Sequence, residues 1–518
     1  MIKTLFMLFM LFSLTILMAA CTGDADESEL NVAIHSSPAS LDSDLFTTQL
    51  INDIMSHVYE SLFEFNERYE AIPHLAESYE IIDDGRTYAV TLRRGVRFHD
   101  GSEMTSADVV ASFRRWLTMN NAGRNMADFI ESFTAVGDYQ VNFTFYEPHA
   151  PFLQIIAANF ANQKFFIRPQ WLVEAYPDTE LQQHVGTGPF QLEEFLQDQH
   201  VLLRRFEDYV PNPGVASGMS GRRTAEVDWL RFVVVPEQAV RIAGIQSDQF
   251  QFAFEIPSDQ YPLLAADDRV QTFIISPSRQ LYLVLNMGGD ILSDKKVRQA
   301  IAIGLDKEEL AGIAIGSSDF WSLNPSHFGP ASPWHVPNAG AGIYNAADVE
   351  RARQLLAESS YDGSPIVILN QRENMLFSQT AIALHSQLEN IGFAVDLQLL
   401  DEATVVERRG QRENWDIHAS AFFPPIPDPQ FYGSWMGTNR WLGNWNDEYS
   451  LMMDEIFERM LREVDLQARQ AIVEEWHDFY YLTVPFVKIV DFDILIIASS
   501  TPTGFASYSS PFFWNVRF

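Results

Sequence analysis

Residues 366–399 read IVILNQRENMLFSQTAIALHSQLENIGFAVDLQL, and this stretch decides the fold class. It opens on Ile366-Val367-Ile368-Leu369, a continuous apolar run of the kind a strand covered on both faces requires. Phe377, Ala381, Leu384, Leu388 and Ile391 then recur at steps of four and three residues, which lines one face of a helix. Gly392 follows, the residue type that closes a helix. Val395, Leu397 and Leu399 alternate with Asp396 and Gln398, as in a half-buried strand. A strand, a helix and a strand in so short a segment predict a right-handed crossover in a mostly parallel sheet. The class is α/β.

Working outward, Asn31-Val32-Ala33-Ile34 reads as a short strand that stops at the polar loop His35-Ser36-Ser37-Pro38-Ala39-Ser40. Ile51, Ile54, Val58 and Leu62 give residues 50–65 helical spacing. Tyr88, Val90 and Leu92 predict a strand, as do Val141, Phe143 and Phe145. Thr105-Ser106-Ala107-Asp108 has the form of a capping box ahead of Val109, Val110, Phe113 and Trp116. Residues 451–462 and 467–480 are amphipathic helices, and 486–497 is a final apolar strand. A chain of 518 residues is too long for one core, so the elements divide among lobes that the chain crosses between more than once.

The N-terminus has a separate logic. Met1-Ile2-Lys3 is a charged start, residues 4–17 are almost wholly apolar, and Met18-Ala19-Ala20 leads to Cys21, the only cysteine. This is the pattern of an export signal, and a cysteine at the cut is what a lipoprotein signal peptidase needs. The apolar run is shorter than a membrane span. Residues 22–29 are acidic and read as a tether. With no other thiol, disulfides and thiolate metal sites are excluded. A net charge of −34 argues against nucleic acid binding.

Motifs for catalysis are missing. Gly218-Met219-Ser220-Gly221-Arg222 does not fit a nucleophile elbow. Gly186-Thr187-Gly188-Pro189-Phe190 is not followed by Lys, and reads as a tight turn entering a strand. His99-Asp100-Gly101 reads as a turn, not a metal pair. Glu474 and His477 have the spacing of a carboxylate-bridged metal site, but one copy is too few, so a solvated helix face is expected. No cofactor is expected. The aromatic segment is more telling: Phe422-Phe423-Pro424-Pro425-Ile426-Pro427-Asp428-Pro429 is stiffened by proline and followed by Phe431, Tyr432, Trp435, Trp441 and Trp445, with Asn439, Asn444 and Asn446 between. Aromatic faces mixed with amides suit the wall of a pocket for an organic solute; a core segment is the other reading.

Several blocks in order resemble the extracellular solute-binding proteins of peptide- and nickel-type ABC importers. The first runs from Leu75-Ala76-Glu77-Ser78-Tyr79 through Asp83-Asp84-Gly85-Arg86-Thr87-Tyr88 and Leu92–Gly101 to Met104–Val110. The second is Gly186–Phe190. The third joins Asn286, Lys296–Ile301 and Asp306-Lys307. The fourth is Asp428-Pro429 with Phe513-Trp514-Asn515-Val516. The resemblance implies a two-lobed periplasmic-binding-protein-like fold of type II, cluster C. Lobe I would span 30–275 with an extra subdomain at about 62–185, lobe II 276–483, and 484–518 would return to lobe I. It implies ligand contacts from Ser36, Ser37 and Ala39 opposite Phe422, Phe423, Trp435, Trp441, Asn444 and Trp445, and a lipid on Cys21.

The implied partners are a small solute, a permease with its ATPase, and a membrane through the lipid; the protein would be a monomer outside the cytoplasm. Peptide-binding members usually carry an aspartate where this chain has Pro425, so an unblocked peptide amine lacks its usual partner there. Gln430 stands where a histidine would help hold nickel. A sugar, an opine-like compound or an amine-blocked peptide stay open as solutes. The competing functions are a secreted hydrolase on a two-lobed scaffold and a solute sensor acting through a partner protein.

Overall fold

The computed structural model describes residues 27–46, 48–159, 163–411, 414–422, 428–438, 447–508 and 510–518, with backbone alone at 277, 434 and 435. Its largest feature is an 11-stranded mixed sheet. The strands run side by side in the order Val395–Leu400, Ile366–Gln371, Ile417–Phe422, Val270–Leu285, Phe486–Ser499, Phe252–Ile256, Glu29–Ile34, Trp229–Val234, His200–Arg205 and Phe190–Leu196. Trp321–Ser322 adds a short edge to Phe486–Ser499.

Two hydrophobic clusters divide this sheet. One gathers Leu30, Val32 and Ile34 with Phe252, Ile275, Ile496 and Trp514. The other gathers Leu281, Leu283 and Leu285 with Ile368, Leu384, Ile417, Trp476 and Phe492. A smaller third cluster lies on the opposite face of the first body's sheet, where Ala33, Leu495 and Ile497 point as their neighbours in sequence point the other way. Two long antiparallel strands, Val270–Leu285 and Phe486–Ser499, carry the chain between the main clusters. Their pairing breaks register between Ile275 and Arg279, so the ribbon is irregular where the clusters part.

The first body carries an added layer. Ala76–Ile82, Thr87–Leu92, Gln140–Phe145 and Ile130–Ala135 form a four-stranded antiparallel sheet in that order. Helix Ser106–Met119 packs on it, and the Phe113 ring meets Phe143 at 4.8 Å and Phe133 at 5.1 Å between centroids. The helix starts where expected: Asp108 Oδ2 accepts the Thr105 N–H at 2.8 Å.

The crossover at 366–399 forms as read, with Ile366–Gln371 and Val395–Leu400 parallel around helix Met375–Ile391 and Gly392 at φ 120°. Three expectations need correction. The helix expected over 50–65 is Gln49–Met55, and Phe63–Phe65 is a strand paired with Ala71–Pro73. The carbonyls of His57 and Val58 instead accept the N–H groups of Phe190 and Gly188, at 3.0 and 2.9 Å. The sheet is not mostly parallel, because the central ribbon and its neighbours on both sides pair antiparallel. His477 is not on a solvated face: it is fully buried, and its Nε2 accepts the His327 N–H at 3.2 Å, although Glu474 is exposed.

Candidate functional site

Among the described residues, both bodies contribute to the walls of a larger and a smaller cavity. The larger, about 610 Å³, lies between the added layer of the first body and the helices Gln430–Met436 and Glu448–Arg462 of the second. Phe129, Tyr146, Phe431 and Phe457 supply aromatic surface, and Asp128, Glu147, Asp454 and Glu458 supply carboxylates. Direct contacts fasten the rim. Glu147 pairs with Arg462 at 2.8 Å, and the Ala150 N–H donates to the Leu461 carbonyl at 2.9 Å.

The smaller cavity, about 300 Å³, sits beside the irregular ribbon and is lined in part by Glu255, Arg279, Leu376 and Asp493. Glu255 holds a left-handed φ of 51°, a costly conformation for a residue with a side chain. There its carboxylate reaches His35 at 3.1 Å and Arg279 at 3.5 Å, linking the loop after the first strand to the ribbon. Burial pushes the Asp493 carboxyl up to about 6, against hydrogen bonding from Ser276 and Ser278. Near this group lies Asp53, on helix Gln49–Met55. Burial raises its carboxyl to about 7, while hydrogen bonds from Gln49 and Ser510 oppose the rise, with smaller effects from Glu255 (upward) and Arg279 (downward). Gln49 Nε2 donates to Asp53 at 3.0 Å and to Ser510 at 3.1 Å, and Asn159 Nδ2 donates to Ser510 at 3.0 Å.

The residues that sequence reasoning singled out are spread around these features. Ser36 Oγ is 3.0 Å from His35 Nε2. Ser37 Oγ accepts the Asp198 N–H at 3.0 Å and so braces its loop on the turn between two strands. Ala39 is exposed. Phe422 is buried at the end of its strand, 5.1 Å from the Tyr282 ring. Cys21, Phe423, Pro425, Trp441, Asn444 and Trp445 lie outside the described residues, as does the side chain of Trp435. Among the described residues no group of three or more His, Cys, Asp or Glu is placed to hold a metal ion.

The profile of the bacterial extracellular solute-binding proteins, family 5 (middle region), matches residues 70–444. The chain belongs to this family. It is 26% identical over 478 residues to the probable peptide ABC transporter periplasmic-binding protein y4tO of Sinorhizobium fredii, covering 89% of this chain and 88% of that one. It is 25% identical over 454 residues to the oligopeptide-binding protein AppA of Bacillus subtilis, covering 80% and 79%. The structure of the ABC transporter substrate-binding protein CtaP of Listeria monocytogenes superposes with a TM-score of 0.82 at 22% identity, covering 95% of this chain and 99% of that one. The fold is thus the two-lobed type II binding-protein fold, and the family is one of binders, not enzymes.

The signature residues of this family-5 protein brace its bodies. His99 takes the Gly186 N–H at Nδ1, 3.2 Å, and bonds the Gly188 carbonyl through Nε2 at 3.0 Å, which joins the first signature block to the second. Thr187 Oγ1 donates to the buried Glu60 at 2.8 Å. Arg298, of the third block, donates to the carbonyls of Leu292, Ser293, Thr483 and Val484. Asp428 and Arg469 form a buried two-pronged pair at 2.6 and 2.7 Å. Trp514 stacks on Phe512 at 4.4 Å and lies under the Arg223 guanidinium at 4.3 Å. Sequence reasoning missed Phe129, Tyr146, Asp454 and Phe457. Phe129 and Tyr146 are marked by exposure, 41% and 61%, which a sequence does not display, while Phe457 is buried in the second core and reads in sequence as any core residue of its helix.

Proposed function

We propose that the chain is the substrate-binding component of an ABC importer, which captures a peptide or related small organic solute between its two lobes and releases it unaltered to a permease. The observation that carries this is the 610 Å³ cavity walled by both bodies, joined through an irregular two-stranded ribbon. A solute touching both walls favours the closed arrangement by its difference in affinity for closed and open forms. We assign lobe I to residues 30–275 with the C-terminal return, and lobe II to the segment between. Val484, Phe486 and Phe492 pack with the second cluster and Ile496 with the first, which supports a second crossing after residue 492, later than the 483–485 the sequence suggests. Delivery to a permease and its ATPase follows the names of y4tO and CtaP. Residues 1–21 support export and a lipid anchor at Cys21, which would hold a monomer at the outer face of a membrane.

The test is direct. Protein purified without denaturation is analysed by mass spectrometry for a retained solute, and that solute is added back to stripped protein during small-angle scattering. Stoichiometric retention and a smaller radius of gyration on rebinding are expected. Chemical conversion of the solute by the protein alone, or an unchanged radius on saturation, refutes capture by closure.

A further inference from the structure

The cavity between the added layer and the second body has a pronounced charge. Asp128, Asp454 and Glu458 line it, and Arg462, the only basic side chain among its described lining residues apart from His149, is already paired with Glu147. Asp454 accepts the Thr438 N–H at 3.1 Å and has no cationic partner among the described residues. His149 adds an independent sign of a missing partner. It is 3% exposed, borders the cavity, stacks on Phe145 at 4.6 Å, and its Nε2 meets no hydrogen-bond partner. Gln430 Oε1 and Thr438 Oγ1, in the facing wall, are buried and unmatched as well. Three such atoms border this one cavity, where a polar ligand or ordered water can meet them. Burial, helped by the Arg469 charge, drives the His149 imidazole down to about 3. The ring is therefore neutral at physiological pH, with one nitrogen able to donate a hydrogen bond and the other to accept one. Phe129 and Tyr146, both exposed, line the cavity together with the carboxylates, a combination that attracts a cation with an apolar body.

We propose that this cavity receives an ammonium- or guanidinium-bearing part of the solute, so that the imported molecule is an organic cation or carries a basic side group. This rests on the importer reading and narrows it. The carboxylates hold the charge, Phe129 and Tyr146 cover the adjoining apolar atoms, and unmatched polar atoms of the wall take the remaining N–H groups directly or through water. Asp128, Phe129 and Tyr146 come from the first body and Asp454 and Glu458 from the second, so a bound cation draws both bodies together.

The experiment uses the full mature chain and a defined pool: agmatine, spermidine, tyramine, a tryptic casein digest, and the same digest with every amine acetylated. Components held by the protein are identified by mass spectrometry, and their affinities measured by calorimetry for the wild type, for Asp128→Asn combined with Glu458→Gln, and for Phe129→Ala. The exposed carboxylates Asp128 and Glu458 can be changed without disturbing a core. Capture of at least one cationic component is expected, with binding weakened tenfold or more by the double substitution and threefold or more by Phe129→Ala. Acetylated peptides that lack arginine should not be held. A cation whose affinity is unchanged in the variants overturns the assignment. If only neutral or anionic components are captured, the importer reading stands and this inference falls. If nothing is captured from the pool, and no solute survives native purification, both fall.

Discussion

Asp428 offers a sharp test of how the second body is held. Its carboxylate accepts Arg469 Nη1 and Nη2 at 2.6 and 2.7 Å, and Oδ1 also accepts the Gln430 N–H at 2.9 Å. Asp428 is fully buried and the Arg469 side chain is 4% exposed. Asp428→Ala removes one half of a buried ion pair. The stranded guanidinium keeps its bond from Nε to the Met460 carbonyl at 2.7 Å and its position over Trp334, but loses its counter-charge. Breaking such a pair from one side costs about 3–5 kcal/mol, and the lost bond to Gln430 adds about 1 kcal/mol. For a cooperative unit of about 200 residues the unfolding entropy is about 0.4 kcal/mol/K, so the melting temperature should fall by about 10–14 °C. Calorimetry reads the shift and urea unfolding checks it. Removing the orphan as well, with Arg469→Met in the same chain, should recover part of the loss, because an apolar pair of similar size is far less unfavourable than a lone buried charge. A shift below about 1 kcal/mol for Asp428→Ala, or a double variant as damaged as the sum of the singles, would refute the account.

Asp53 gives a prediction with a definite sign. Its carboxyl is raised to about 7, so the native state holds the proton more tightly than the unfolded chain, and stability falls as pH rises from about 4 to about 7. Asp53→Asn should therefore match the wild type near pH 4 and exceed it at pH 8, by at most about 4 kcal/mol and by less where water reaches the carboxylate; urea midpoints across that range test it. Gly186→Ala drives a Cβ into the carbonyl of Val58 and should cost about 1–3 kcal/mol in urea unfolding, whereas a substitution at Gly363, where a Cβ meets nothing but φ is 89°, should act through backbone strain alone. Cys21→Ser should move the expressed protein from the detergent phase to the aqueous phase in a detergent partition assay, and unchanged partition would remove the lipid anchor from the proposal.

The parts of this fold that could be read from sequence are those whose partners are local. Residues 366–399 place their own apolar faces at regular spacing, so the crossover needs no knowledge of the rest of the chain. Helix Gln49–Met55 shows the opposite case. Its apolar spacing continues past Met55, but the carbonyls of His57 and Val58 belong to a segment that begins at Gly186, and no periodicity near residue 57 announces that competitor. His477 misleads for a similar reason. Glu474, Glu475 and Asp478 surround it with charge in sequence, yet the helix turns it towards Trp476, Phe328 and the His327 N–H, which needs an acceptor inside the core.

The same distinction explains why kinship is easy to read here and the solute is not. Residues that mark the family hold the bodies rigid: His99 ties down Gly186 and Gly188, Asp428 neutralises Arg469, and Trp514 seats Arg223. These are buried, geometrically exacting contacts, and each tolerates few side chains. The exposed wall residues of the large cavity are under no such constraint. Phe129 and Tyr146 are exposed, Asp128 and Glu458 are on surface turns or helix faces, and they line one cavity only because the added layer lies against the helix ending at Arg462. On the proposed reading, changing them alters what the cavity attracts and leaves both cores intact. A scaffold built this way can keep its clamp while its cargo changes. If the cavity holds the cargo as proposed, the cargo's chemistry is set by residues about 300 positions apart, a relation that only the folded chain displays.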